Sequence, residues 1–226
     1  MNDIARRLQA TRERIQAAQQ RYGCPGEVIL VAVSKTRSAA AIEAAAACGQ
    51  TDFGENYVQE ALDKINACRP GLVWHFIGPV QSNKTRDVAA HCTWVHTLDR
   101  EKIARRLSAA RPAGLPPLNV CLQVNISGES SKSGVAPGAI GPLAAAVAGL
   151  PRLRLRGLMA MPAPETDFEA QRRPFRALRE LFDGLRRDGH ALDTLSMGTS
   201  SDMEAAIAEG ATLVRIGTAI FGPREV

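Results

Sequence analysis

Val28-Ile29-Leu30-Val31-Ala32-Val33-Ser34-Lys35-Thr36 begins with an unbroken apolar run and ends abruptly on polar residues. A run of that kind reads as a buried strand that carries Lys35 to its carboxyl end. The alanine-rich segment after it, near 38–48, reads as a helix. Working outward, the same alternation repeats. Further strand-like runs lie near 51–53, 72–77, 93–97, 118–125, 153–159, 193–196 and 212–216. Helical segments lie between them near 56–68, 83–91, 99–110, 137–149, 167–187 and 201–209. An opening helix over about 3–21, with Ile4, Leu8 and Ile15 in phase, stops at Gly23-Cys24-Pro25-Gly26.

Strands alternating with helices imply parallel pairing and right-handed crossovers. Two architectures satisfy that pattern, a closed eight-stranded barrel and an open doubly wound sheet. No G-x-G-x-x-G follows the first strand, and polar motifs end many strands rather than one switch point, so a (β/α)8 barrel is expected. No linker or composition shift divides residues 1–226, which read as one domain. Little chain follows the eighth strand, and the opening helix is expected to fill that slot in the outer ring.

Composition narrows the function. The 226 residues are 45% apolar and 23% charged, an ordinary globular balance. Aromatics make up 4%, which argues against stacking platforms for single-stranded nucleic acid. The net charge of +5 is spread through arginine-rich helices such as residues 172–187, which read as solvated faces. Five scattered cysteines, with no C-x-x-C pair, exclude a disulfide framework and a zinc site as expectations and fit a reducing compartment. No signal peptide and no spanning segment of roughly 20 apolar residues is evident. A cytoplasmic protein with no membrane or nucleic-acid partner is expected.

In a parallel barrel the carboxyl ends of all strands share one rim, and the chemistry sits there. The rim motifs are Ser34-Lys35-Thr36, Gly54-Glu55-Asn56, His75-Phe76-Ile77-Gly78, Asn125-Ile126-Ser127-Gly128, Met159-Ala160-Met161, Ser196-Met197-Gly198-Thr199-Ser200 and Arg215-Ile216-Gly217-Thr218. A lysine at such a rim either merely ends its strand or is desolvated, which favours the free amine and suits it to form a Schiff base with an aldehyde. Ser201-Asp202-Met203-Glu204 fits a capping box, so a helix is expected to start at Ser200 or Ser201 and offer its N–H groups to an anion. Gly217-Thr218 adds close backbone approach and a hydroxyl, at loops where such barrels hold phosphate. An aldehyde and a phosphate in one ligand suggest pyridoxal 5′-phosphate. Arg215 either pairs with an acid inside the barrel or meets the pyridine nitrogen. A guanidinium only donates, so it can meet only an unprotonated nitrogen, which is a weaker electron sink.

Val31-Ala32-Val33-Ser34-Lys35-Thr36, Phe53-Gly54-Glu55-Asn56-Tyr57, Trp74-His75-Phe76-Ile77-Gly78 with Gln81, Asn83 and Lys84, Val124-Asn125-Ile126-Ser127, Gly157-Leu158-Met159-Ala160-Met161 and Ser196-Met197-Gly198 together resemble the pyridoxal phosphate homeostasis protein family. That family is related to the N-terminal barrel of alanine racemase. The resemblance runs from the opening helix to Phe221-Gly222 and implies a fold-type III cofactor barrel. It implies that Lys35 carries the cofactor as a Schiff base, that Arg215 faces the pyridine nitrogen, and that Ser200, Gly217 and Thr218 hold the phosphate. Asn56, His75 and Met159 fall in family motifs near the ring, with His75 equally readable as a core histidine. Arg37-Ser38, Val80 and Thr199 depart from the usual pattern.

The function expected is a protein that holds and buffers the cofactor, passing it to apo-enzymes, as a monomer or weak dimer. A racemase on the same fold is the alternative. It needs a second acid/base opposite the lysine, usually a tyrosine from a second domain or partner. The chain ends at Val226, and neither Tyr22 nor Tyr57 is well placed. A class I aldolase is disfavoured because its lysine usually sits on a later strand. In the Gly/Ser-rich segment 127–134, expected to be a mobile loop, Lys132 is read as pairing with Glu129 or the phosphate, or as a transient second carrier.

Overall fold

The computed structural model describes residues 3–24, 26–129 and 132–223. The opening helix α1 (Asp3–Tyr22) is followed by β1 (Ile29–Val33), α2 (Ala39–Ala46), β2 (Asp52–Glu55), α3 (Val58–Ala67), β3 (Val73–Phe76), α4 (Thr85–His91), β4 (Trp94–Leu98) and α5 (Glu101–Ala110). The second half runs β5 (Leu118–Gln123), α6 (Ile140–Ala148), β6 (Leu153–Met159), α7 (Phe168–Arg187), β7 (Thr194–Ser196), α8 (Met203–Ala208), β8 (Leu213–Ile216) and α9 (Thr218–Phe221). The strands pair in chain order, all parallel, and the barrel closes where β1 meets β8 with Leu30 beside Val214 and Ala32 beside Ile216. Expected and observed strands agree to within two residues at their ends. The eight-stranded barrel is as anticipated.

Helix starts follow local chemistry. Ser38 caps α2 by accepting from the Ala41 N–H, and Asp167 caps α7 by accepting from the Ala170 N–H at 2.8 Å. Along α7, Phe175, Leu178, Phe182 and Leu185 recur at helical spacing and are buried against the barrel. Burying each such side chain contributes about 1.5–3 kcal/mol. The arginine face of α7 is less solvated than expected, because Arg172, Arg176 and Arg179 all converge on the buried carboxylate of Glu209.

The eighth position of the outer ring is shared. Among the described residues only the single turn α9 follows β8, and α1 packs against α8, α9 and α2 to cover the seam. One glycine is obligatory for closure. A Cβ on Gly157 of β6 would stand 1.7 Å from the Thr194 carbonyl oxygen of β7, so any side chain there would push the two strands apart. Among the described residues no helix is long and apolar enough to cross a membrane, and no cluster of metal-ligating side chains occurs. All five cysteines are free, and burial pushes the Cys92 and Cys121 thiols up to about 12, which keeps both as unreactive thiols.

Candidate functional site

A cavity of about 520 Å³ opens at the carboxyl-end rim of the barrel. Lys35, Asn56, Met159, Ser200, Arg215, Gly217 and Thr218 all line it, so seven of the residues singled out in the sequence converge on one space. β1 and β8 are neighbours, which brings Lys35 and Arg215 to adjacent parts of the wall.

Lys35 is half-buried and stands on a turn under strain. Thr36 has φ +63°, a left-handed conformation rarely adopted by a β-branched residue. Such strain persists only where surrounding contacts over-determine the backbone. Here a buried cluster does so. The Lys64 ammonium, 5% exposed, donates to the Ser34 carbonyl at 2.7 Å, to Glu55 Oε1 at 2.7 Å and to Glu60 Oε1 at 2.6 Å. Ser34 Oγ donates to the same Glu55 oxygen, and the Thr36 N–H donates to Glu60. The backbone on both sides of Lys35 is therefore held by one ion cluster. Burial raises the Glu55 carboxyl above its ordinary range, and the bonds from Lys64 and Ser34 offset this only in part. None of these clamping roles was expected from sequence. The one available signal was Glu60 and Lys64 at i, i+4 on a helix.

Asn56 follows β2 and presents a polar atom to the cavity. Its Oδ1 is buried without a hydrogen-bond partner among the described residues. Gly78, after β3, explains how Asn56 comes so close to its neighbour: a Cβ there would stand 2.0 Å from the Asn56 carbonyl oxygen. Met159 ends β6 and supplies an apolar wall.

Hydroxyls gather on the adjoining wall. Thr199, Ser200 and Ser201 lie after β7 and Thr218 after β8. The capping box does not form, and α8 starts later than expected, at Met203. Asp202 accepts instead from the Thr199 N–H at 2.6 Å and hydroxyl at 2.8 Å, which holds 199–202 as a turn. Glu204 is drawn away to Arg14 of α1. Ser200 Oγ accepts from the Ala219 N–H at 3.5 Å, linking the β7 and β8 loops. Of the departures from the family pattern, Thr199 shapes this turn and Val80 adds a buried apolar contact to the cavity.

Arg215 makes no ion pair among the described residues, contrary to the alternative that it pairs inside the barrel. Its Nη1 donates to Ser196 Oγ at 2.7 Å and Nη2 to the Ala160 carbonyl at 3.1 Å. Burial lowers its pKa to about 10, which leaves it cationic at neutral pH.

His75 is the correction. It does not line the cavity but lies fully buried inside the barrel, bonded to Asp52 Oδ1 and His96 Nε2, both at 2.9 Å, and stacked on Trp94. It points inward on β3, as alternate residues of a barrel strand do. Lys132 pairs with Glu129 at 3.2 Å, as its plainer reading had it. Residues 130 and 131 of the expected mobile loop lie outside the described residues. Tyr57 is exposed at the start of α3 and Tyr22 stacks on Phe168, so neither tyrosine lines the cavity. Gln123, Ser133, Asp99 and Arg100 line it without having been anticipated.

Comparison with known proteins agrees with this geometry. Residues 7–225 match the family model described as alanine racemase, N-terminal domain. The chain is similar to the pyridoxal phosphate homeostasis proteins of Escherichia coli K12 (57% identical, covering all of this chain and 98% of the relative) and Pseudomonas aeruginosa (59%, all of this chain and 97%). Its fold is similar to that of PipY from Synechococcus elongatus solved with PLP bound, at TM-score 0.85 and 35% identity, covering 97% of this chain and all of that one. The alanine racemase of Corynebacterium glutamicum, 16% identical over 62% of its own length with TM-score 0.70, shares the fold. The chain belongs to the pyridoxal phosphate homeostasis protein family, a branch of the alanine racemase N-terminal barrels.

Proposed function

We propose that the protein binds pyridoxal 5′-phosphate, holds it as a Schiff base on Lys35 and serves in intracellular vitamin B6 homeostasis without turning over a substrate. The observation that carries this reading is the convergence of an amine, a buried guanidinium, a run of hydroxyls and an orphaned acceptor on one cavity. When bound, the cofactor supplies an electrophilic aldehyde. Lys35 meets the aldehyde, and the clamp around Ser34 and Thr36 fixes where its side chain starts. Ser200 and Thr218 offer hydroxyls to the phosphate, and Gly217 lets the backbone approach it. Arg215 presents donors to the ring nitrogen, and Asn56 Oδ1 accepts from a donor on the ligand. Met159 covers an apolar part of the ring.

The racemase reading is disfavoured because neither tyrosine of the chain lines the cavity. The proposed role is a reservoir that yields the cofactor to apo-enzymes.

The test is an absorption spectrum before and after borohydride, with mass mapping of the reduced protein. The expected result is a visible band lost on reduction, an adduct on Lys35, and no adduct in Lys35→Ala. An adduct on another lysine overturns the assignment. Free amino acids should exchange solvent deuterium at Cα slowly or not at all. Interconversion of enantiomers at about 1 s⁻¹ or faster would establish the racemase instead.

A further inference from the structure

Arg215 is buried without an ion pair among the described residues, yet a continuous line of hydrogen bonds leads from it across the barrel to a carboxylate. Arg215 Nη1 bonds Ser196 Oγ at 2.7 Å, and Ser196 Oγ bonds His96 Nδ1 at 2.7 Å. His96 Nε2 bonds His75 Nδ1 at 2.9 Å, and His75 Nε2 bonds Asp52 Oδ1 at 2.9 Å. The line runs through β8, β7, β4, β3 and β2. It ends at a second cavity, lined by Asp52 and Glu27 among others, on the side of the barrel where β1 and β2 begin.

The two ends dictate its direction. A guanidinium only donates and a carboxylate only accepts. His75 therefore donates from Nε2 to Asp52, and as a neutral ring it accepts at Nδ1. His96 then donates from Nε2 and accepts at Nδ1 from the Ser196 hydroxyl, whose oxygen accepts from Arg215. Every link is satisfied in one orientation only. Both rings are held neutral, because burial lowers the pKa of each; Asp52 opposes this at His75, whereas at His96 the repulsion that a proton on His75 would bring and the Arg215 charge add to it. Hydrogen bonds in a low-dielectric interior polarise one another, so the Asp52 charge is felt along the chain.

We infer that Asp52, His75, His96 and Ser196 are positioning residues for Arg215: they supply its counter-charge through a polarised relay and hold its guanidinium toward the ring nitrogen of pyridoxal phosphate. The inference rests on the cofactor reading above. It makes a carboxylate at the far mouth of the barrel a determinant of the cofactor's electronic state. A change of charge there reaches the ring without altering any residue of the cavity wall.

Two measurements test it. Without cofactor, ¹⁵N spectra of histidine-labelled protein should show His75 and His96 as neutral Nε2–H tautomers. With cofactor labelled at the ring nitrogen, the nitrogen signal and visible band should move in Asp52→Asn and Ser196→Ala. Affinity should fall about two- to thirtyfold, the usual span of coupling through a side-chain network. Ser196→Thr, which keeps the hydroxyl, should restore both signals, and Glu27→Gln should leave them alone. Borohydride must still map the adduct to Lys35 in each variant. An imidazolium or Nδ1–H tautomer at either histidine overturns the relay. So do wild-type signals in both Asp52→Asn and Ser196→Ala with the Lys35 adduct intact. A wild type with no Lys35 adduct overturns the cofactor reading and the inference together. Should Ser196→Ala fail to fold, Asp52→Asn decides alone, since Asp52 reaches solvent and the asparagine oxygen can still accept.

Discussion

Lys35 and Arg215 face one cavity from adjacent strands, yet the polar groups behind them are built in opposite ways. Behind Lys35, a buried ammonium is shared between two carboxylates, and Glu55 Oε2 has no hydrogen-bond partner among the described residues. Behind Arg215, neutral imidazoles and a hydroxyl carry one set of hydrogen bonds with nothing left over. The first arrangement fixes backbone, because its ion cluster grips a carbonyl and an N–H around a strained residue. The second fixes a side chain and moves no backbone. An amine that must be delivered at the end of a strand calls for the former. A guanidinium that must remain charged in the interior calls for the latter.

The largest effect should come from breaking the charged cluster. Lys64→Met leaves Glu55 buried and unpaired, a change that typically costs about 3–5 kcal/mol. Urea unfolding should report it as a lower midpoint at an unchanged m-value. The double variant Lys64→Met with Glu55→Gln should recover much of the loss, because the buried Glu55 charge is gone and the carboxylate that remains, Glu60, is partly open to solvent. A cost below about 1 kcal/mol for the single variant would show that the ammonium is dispensable and that Thr36 is held by other means.

Acid should separate the two clusters by sign. His75 and His96 are held below the ordinary histidine value, so below about pH 6.5 the unfolded chain binds up to two more protons than the folded one. Stability therefore falls as pH falls from there, by up to about 1.4 kcal/mol per pH unit for each ring. Glu55 acts oppositely: its raised pKa means the folded state takes up a proton before the unfolded state does, which favours folding as pH drops through that range. Asp52 is held low: burial opposes its ionisation, but the bonds from His75 and Thr51 outweigh it, so its loss comes only in stronger acid. His96→Gln can keep both hydrogen bonds and should make the slope below about pH 6.5 shallower. An unchanged slope would mean that His96 does not remain neutral in the fold.

The same contrast explains what sequence reading could reach. The barrel was legible because strand periodicity and helix periodicity are local, and the rim motifs followed once every strand end was placed on one face. His75 stayed open between the ring and the core because its direction depends on the barrel's inward alternation, which residues 75 to 78 do not disclose. The relay joins His96 to Ser196, 100 residues apart, and no spacing rule covers such a pair. The capping box failed for a related reason. Its glutamate found Arg14, 190 residues away, and its aspartate found Thr199 nearby. The clamp was half visible, in Glu60 and Lys64 on one helix face, but its target on the Lys35 turn belongs to another strand.

The smallest effect tests whether the strain at Thr36 belongs to the clamp or to the function. A threonine at φ +63° costs of order 1–3 kcal/mol, whereas glycine adopts that conformation freely but adds about 0.5–1 kcal/mol of unfolded-chain entropy. Thr36→Gly should therefore leave stability unchanged or raise it by about 1 kcal/mol. Cofactor affinity should move the other way, because a glycine next to Lys35 lets the amine sample directions that miss the cavity. The measurement pairs urea unfolding with a cofactor titration followed at the visible band. Higher stability with weaker binding places the strain in the service of Lys35. Higher stability with unchanged binding would show that the Lys64 cluster alone aims the lysine, and that the left-handed turn is only its by-product.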